Sequence, residues 1–107
     1  LILTMKSKLK EFKVATISEF QELVNKKDFR ISNIVVNSIL NNLKTHKKQI
    51  KVFSVKCVEE NTILDVNLEK REFIDTLKCN LVYFEDREMY EVCQQINEGI
   101  KILSESK

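Results

Sequence analysis

Apolar residues recur every three or four positions through the last third of this 107-residue chain. Within residues 69–103, two such stripes flank the charged corner Glu85-Asp86-Arg87-Glu88. They consist of Phe73, Leu77, Leu81 and Phe84 before the corner, and of Met89, Cys93, Ile96, Ile100 and Leu103 after it. This spacing places each stripe on one face of a helix, so we predict an antiparallel helical hairpin in which the two faces bury each other. Its first helix is expected to begin near Glu69 and its second near Asp86 or Glu88.

The middle of the chain is rich in β-branched and aromatic residues that alternate in strand fashion. Residues 50–58 and 62–68 form two such segments, and the polar residues 59–61 between them predict a turn. The two faces of the first segment are expected to carry Phe53, Val55 and Cys57, and Ile50, Val52 and Val58, respectively. An isolated two-stranded ribbon is marginally stable, so this β-hairpin must pack on helices or gain a third strand. The candidates for that strand are residues 8–15 and a neighbouring subunit.

Two short helices are predicted before the β-hairpin. Thr16 to Glu19 has the form of a capping box, with Thr16 as the N-cap and the Glu19 side chain reaching back to the Thr16 backbone N–H. This helix is expected to end near Lys26. A second helix is expected to begin near Ser32, because apolar residues on either side of that position would form a hydrophobic staple. The cations of residues 44–48 would then lie at the negative end of its dipole.

Together these elements predict one α+β domain that spans residues 1–107. It has two N-terminal helices, a central antiparallel β-hairpin that an N-terminal third strand can join, and a C-terminal antiparallel helical hairpin. With 43% hydrophobic and 32% charged residues, the composition argues against global disorder. The single glycine, Gly99, is interpreted as permitting close approach of another element or as marking fraying near the C-terminus, and we favour the first. Leu1-Ile2-Leu3 is interpreted as a terminal strand, a disordered end or a cloning remnant, and the last two alternatives extend to residues 1–7.

Cysteine usage and hydropathy indicate a cytoplasmic protein that does not enter a membrane. Cys57, Cys79 and Cys93 form no closely spaced pair, which fits reduced thiols, and we expect all three to be small buried side chains. The longest apolar runs, such as Ile34-Val35-Val36, are far too short to cross a bilayer. The N-terminus also lacks the basic region and cleavage site of a signal peptide.

The sequence contains no arrangement that is typical of catalysis. The single histidine, His46, lies among lysines, with no Cys, Ser or acidic residue at a useful spacing. The paired carboxylates Glu59-Glu60 and Glu85-Asp86 fall at predicted turns, where exposed acids are common. There is also no glycine-rich phosphate loop. We therefore expect no enzyme activity, no catalytic residues, no metal site and no cofactor.

The second helix of the predicted helical hairpin resembles a known motif. The matching positions are Glu88, Tyr90, Glu91, Ile96, Glu98 and Ile100, with Cys93 where the motif has a small residue. The stretch resembles the UVR motif, the helical hairpin of the nucleotide-excision-repair B and C subunits and of some Clp-associated regulators. It departs from the motif at Met89, Gln94, Asn97 and Gly99. In that family the motif mediates protein–protein contact, so the resemblance implies docking. The overall layout also looks like that of small uncharacterised proteins of large tailed phages.

We predict a non-enzymatic interaction module that docks onto an unknown protein partner through the helical hairpin or the edge of the β-ribbon. The candidate contact residues are Tyr83, Glu88, Tyr90 and Glu91, since tyrosine is enriched among interface hot spots. The alternative for the two tyrosines is that they close the open end of the hairpin, with each hydroxyl group reaching water. A homodimer is also expected, because a short sheet leaves edges to cover.

The uneven charge distribution suggests a second function. Residues 1–56 hold 12 basic and 4 acidic side chains, whereas residues 57–107 hold 6 basic and 12 acidic ones. The basic half is a candidate nucleic-acid surface. Its candidate contact residues are Lys44, Lys47, Lys48 and Lys51, with His46, Lys26, Lys27 and Arg30 nearby. The alternative is a solvated lysine face that complements a helix dipole, or attraction between the two halves of the fold.

Overall fold

The computed structural model describes residues 10–105, and over this range the chain forms three strands and four α-helices. In chain order these are β1 (Lys10–Val14), α1 (Ile17–Asn25), α2 (Phe29–Leu40), β2 (Gln49–Cys57), β3 (Thr62–Glu69), α3 (Phe73–Asp86) and α4 (Tyr90–Glu105). This order confirms the predicted α+β class, including the N-terminal third strand. The predictions for residues 1–7 lie outside the described residues.

The three strands form one mixed sheet in the order β1-β2-β3. β1 pairs with β2 in parallel, with Phe12 beside Val55 and Val14 beside Cys57. The crossover through α1 and α2 makes the parallel direction possible, since a tight turn can join only antiparallel neighbours. β2 and β3 form the predicted antiparallel hairpin. β1 and β3 are therefore the two edges of the sheet.

A β-bulge at Val52 changes the faces predicted for β2. Ile50 pairs with Leu68 and Phe53 pairs with Val66, so Val52 is the extra residue between these pairs. Ile50 therefore lies on the same face as Phe53, and the prediction that these two residues lie on opposite faces is wrong. Alternation alone could not reveal the bulge, because Val52 and Phe53 are both apolar and both buried.

The outer face of the sheet is polar. Register and strand alternation assign to it Glu11 and Lys13 of β1, Lys51, Ser54 and Lys56 of β2, and Ile63, Asp65 and Asn67 of β3. Most of these side chains are exposed. The apolar inner face packs against the helices.

Local hydrogen bonds set the boundaries of α1 and α2. Thr16 caps α1 as predicted and accepts a hydrogen bond from the Glu19 backbone N–H at 3.1 Å. The Glu19 carboxylate accepts from the Ala15 N–H at 2.6 Å, one residue before the donor expected. α2 begins three residues earlier than predicted, because the Asp28 carboxylate accepts from the Arg30 N–H and caps the helix. Ser32, the predicted cap, is buried inside α2.

Two further helix boundaries differ from the predictions. α2 ends at Leu40, so the cations of residues 44–48 lie in the connection to β2 and not in a last helical turn. β3 continues through Glu69, and a 3₁₀ turn (Lys70–Glu72) precedes α3, which therefore starts later than expected. The Lys70 backbone N–H donates to the Lys48 carbonyl oxygen at 2.7 Å, which extends pairing past the end of the strands.

The C-terminal helical hairpin turns at residues 87–89. Glu88 has a φ of 57° in the left-handed region, and the Met89 N–H donates to the Phe84 carbonyl oxygen at 3.0 Å. α4 therefore begins at Tyr90. Most of the predicted stripe residues are buried or packed against the core, and Phe73, Leu77, Phe84 and Ile96 are fully buried.

Gly99 is buried where α4 meets α2. A methyl group on Gly99 would come within 2.8 Å of Leu40 Cδ2, and within 3.5 Å of side-chain atoms of Leu43 and Leu77. The glycine thus allows the helices to approach closely, as the favoured interpretation predicted.

Two of the three cysteines match the prediction of burial. Cys57 and Cys93 are buried, whereas Cys79 is exposed on α3, so the prediction is wrong for Cys79. Burial raises the pKa of the Cys57 and Cys93 thiols, which disfavours the reactive thiolate. No helix within residues 10–105 is long and apolar enough to cross a membrane.

Candidate functional site

The corner of the helical hairpin brings together three of the four predicted partner-contact residues. Glu88, Tyr90 and Glu91 are exposed, and Tyr90 has 67% of its surface accessible. They line a shallow groove with Met89 and Val92, which both pack partly against the core. An exposed tyrosine and two exposed acidic side chains therefore line one groove with two side chains that pack against the core.

Tyr83, the fourth predicted contact residue, does not belong to this surface. Only 9% of it is exposed, and its ring meets the Phe84 ring edge-on at 5.2 Å between centroids. The Arg87 guanidinium lies 4.4 Å from the centre of the Tyr83 ring, in cation–π geometry. The Tyr83 hydroxyl group is buried with no hydrogen-bond partner in the described part of the chain. The prediction that the Tyr83 hydroxyl reaches water is therefore wrong.

A second candidate site is a groove between the α2–β2 connection and the turn after β3. We call it the basic groove, and its lining residues are His46, Lys47, Lys48, Glu69, Lys70 and Arg71. Lys47 and Lys48 were predicted as nucleic-acid contacts. Lys70 and Arg71 were missed because they belong to the acidic half of the chain. The pairing of Gln49 with Glu69 brings residues 46–48 close to residues 69–71. The predicted β-hairpin already implied that these two segments are neighbours.

Hydrogen bonds hold the two walls of the basic groove together. The Lys70 Nζ donates to the Thr45 carbonyl oxygen at 2.5 Å, and the Lys70 backbone N–H donates to the Lys48 carbonyl oxygen. Arg71 forms an ion pair with Glu69, with 2.9 Å between Nη2 and Oε1. Lys47 and Lys48 are exposed, and within residues 10–105 neither ammonium group has an ion-pair partner. These two lysines are the cations most available to a ligand.

The other predicted basic residues lie apart from the basic groove. Lys51 is on the outer face of the sheet, where its Nζ lies 3.2 Å from Asp65 Oδ2. The Ser54 hydroxyl also donates to Asp65, and these two partners lower the pKa of the Asp65 carboxyl group. Lys44 is exposed but does not line the groove.

Arg30 contacts the N-terminal cap of its own helix, α2. It forms an ion pair with Asp28 at 3.1 Å and lowers the pKa of that carboxyl group. Its guanidinium also lies 5.5 Å from the centre of the Phe12 ring. Arg30 thus has structural roles in capping α2 and in covering β1.

Neither candidate site has the geometry of a metal centre. Within residues 10–105, no group of three His, Cys, Asp or Glu side chains lies close enough to hold a metal ion. His46, the single histidine, is exposed in the basic groove beside cations, which disfavour a bound metal ion.

The hairpin corner thus exposes a tyrosine and two acids in one groove, and the basic groove exposes two lysines that have no ion-pair partner within residues 10–105. Comparison with known proteins finds no family model that matches the chain, and no curated protein or solved structure that is significantly similar to it.

Proposed function

We propose that this is a non-enzymatic binding protein that docks onto a protein partner through the corner of its helical hairpin. The observation that carries the proposal is Tyr90, which is mostly exposed and lines one groove with Glu88 and Glu91. A tyrosine presents a large contact area with few rotatable bonds, so fixing it on binding costs little entropy. We infer a partner surface with an apolar socket that receives the ring and basic side chains that meet the acids.

The construction of the corner supports this role. Phe84 and Cys93 are buried beneath it, and the Met89 N–H closes the turn on the Phe84 carbonyl oxygen. Since this hydrogen bond and the buried side chains hold the turn, we infer that a partner meets a preformed surface. The resemblance of residues 69–103 to the UVR motif favours the same role, since in that family the motif mediates protein–protein contact. We propose that the protein acts in the cytoplasm, as an accessory protein of a phage or a bacterium.

The test is capture of a partner from lysate of the source cells with immobilised protein. Tyr90→Ala and Glu91→Lys are expected to abolish the captured band that wild type retains. Gln94→Ala and Glu105→Lys, at exposed positions further along α4, are the matched controls and should retain it. Unfolding midpoints should be the same for all variants. Equal capture by the wild-type protein and both corner variants would contradict docking through the corner.

A second candidate function is nucleic-acid binding through the basic groove. Lys47 and Lys48 converge with Lys70 and Arg71 on one groove, and the first two have no ion-pair partner in the described residues. The imidazole of His46 is the one ring that lines the groove, and no Phe, Tyr or Trp adds a further platform on which bases could stack. We therefore propose contact with the phosphate backbone and little sequence preference.

This second candidate is tested by titrating labelled single-stranded DNA, duplex DNA and RNA at two salt concentrations. Affinity is expected to fall steeply with salt, and Lys47→Glu with Lys48→Glu should lower both the affinity and the salt dependence. Lys78→Glu with Lys101→Glu, at exposed lysines of the hairpin, is the control for net charge. No binding at low salt would remove this candidate. Tyr90→Ala separates the two functions, because it should not change nucleic-acid binding.

A further inference from the structure

The outer edge of β1 is unpaired within residues 10–105, and one hydrogen bond shows which of its backbone groups face away from β2. The Val58 N–H donates to the Val14 carbonyl oxygen, so the backbone groups of Val14 point towards β2. Because these directions alternate along a strand, those of Glu11 and Lys13 point to the opposite side. Nothing within residues 10–105 pairs with them, since β1 is the first strand in the sheet order. The edge therefore offers the backbone N–H donors and carbonyl acceptors of Glu11 and Lys13 to another strand.

We propose that β1 pairs antiparallel with β1 of a second copy of this chain, about a two-fold axis at Phe12. In this register Glu11 lies opposite Lys13 of the second copy, and the symmetry repeats the pair. Both side chains lie on the outer face of the sheet and are exposed, so two ion pairs form across the junction. Glu11 of one copy and Lys13 of the other also exchange backbone N–H···O hydrogen bonds across the junction. The two Phe12 rings then face each other in the closer, non-hydrogen-bonded position.

The other edge of the sheet does not suit self-pairing. β3 carries Asp65 and Glu69 but no basic residue, so two copies in antiparallel contact would gain no ion pair between them. β1 is thus the edge at which charge complementarity with a second copy exists. Isologous pairing uses both β1 edges at once, so assembly stops at the dimer with the strand order 3-2-1-1-2-3. The contact involves five residues per strand, and we expect a weak dimer that depends on protein concentration.

Sedimentation equilibrium of the full chain over a wide concentration range tests the proposal. Wild type is expected to show a monomer–dimer equilibrium. Glu11→Lys or Lys13→Glu alone places like charges opposite each other twice and should weaken the dimer by about tenfold. The double variant Glu11→Lys with Lys13→Glu restores both ion pairs and should restore dimerisation. Glu98→Lys and Lys101→Glu, exposed on α4, are the controls for net charge and should dimerise like wild type.

Mixing the two single variants gives the sharpest result. Glu11→Lys presents two lysines and Lys13→Glu presents two glutamates, so an equimolar mixture should form a heterodimer more tightly than either variant dimerises alone. A monomer at every wild-type concentration would overturn the proposal, as would dimerisation that neither single variant weakens. The inference is independent of the hairpin corner and of the basic groove, and Tyr90→Ala and Lys47→Glu should leave dimerisation unchanged.

Discussion

The hairpin corner and the basic groove are both exposed turns, but different forces hold them in place. The corner stands on buried side chains, with Phe84 fully buried directly before it. The basic groove is held by backbone and charge-assisted hydrogen bonds, chiefly those of Lys70 to Thr45 and Lys48. The corner is therefore held mainly by side-chain packing, whereas the groove is held mainly by hydrogen bonds. Core substitutions should therefore affect the corner far more than the groove.

The strongest test of that contrast is Phe84→Ala. Removing this fully buried ring leaves a cavity under the corner, and we expect a loss of about 3–5 kcal/mol in the free energy of unfolding. Urea denaturation gives the value. Val82→Ala, at an exposed position of the same helix, should change stability by less than about 0.5 kcal/mol. A small effect of Phe84→Ala would mean that the corner does not rest on the core.

Gly99 links the helical hairpin to the groove side of the fold, because a side chain there meets Leu40 and also Leu43, which belongs to the connection leading to the groove. Gly99→Val is expected to cost about 1–3 kcal/mol in unfolding free energy, because it overpacks this contact. It should also shift the NMR signals of residues 44–48. Gly99→Ala should be nearly neutral: alanine favours the helix by about 1 kcal/mol, which offsets the displacement of one flexible Leu40 methyl group. Unshifted signals in the Gly99→Val protein would contradict the link.

The two tyrosines beside the corner should respond differently to loss of their hydroxyl groups. Tyr83→Phe removes a buried hydroxyl that has no partner within the described residues, so we expect stability to rise by about 1 kcal/mol. Tyr90→Phe should change stability by less than about 0.5 kcal/mol, since Tyr90 is exposed. Thermal unfolding of both variants measures the difference. Destabilisation by Tyr83→Phe would show that its hydroxyl does have a partner.

The smallest expected effect is on the pH dependence of the unfolding free energy, through Asp65 on the outer face of the sheet. Ser54 and Lys51 lower the pKa of Asp65 from its ordinary value of 3.8, so ionised Asp65 favours the folded state above that value. This contribution is lost as the pH falls through the lowered folded pKa. Asp65→Asn should therefore slightly flatten the decline in unfolding free energy below about pH 4. Urea midpoints measured across that range test the prediction, and an unchanged pH profile would contradict it.

Much of the architecture was predictable because its signals are periodic. The stripes of the helical hairpin and the alternation of the β-hairpin follow directly from residue spacing. The bulge was not predictable, because Val52 and Phe53 are both apolar and no local residue marks the extra position. The cap of α2 at Asp28 was not predictable, because Asp28 ends the polar run of residues 25–28, which fits a break between two helices equally well.

The candidate sites were predictable only in part, because they depend on tertiary placement. Glu88, Tyr90 and Glu91 lie at a turn and are exposed there, as expected. Tyr83 is one helical turn away from the corner and points into the core. Lys70 and Arg71 join the basic groove only through the register of the β-hairpin, which a count of charges along the chain cannot show.

Cys79 gives this small domain a ready-made attachment point. It is the exposed one of the three cysteines, and the other two are buried thiols whose pKa is raised by burial. A thiol-reactive fluorophore should therefore label native protein at one position on α3, without any engineered cysteine. The label sits on the hairpin away from its corner, so its emission can report on the approach of a partner or of a second copy while the proposed contact residues stay unmodified.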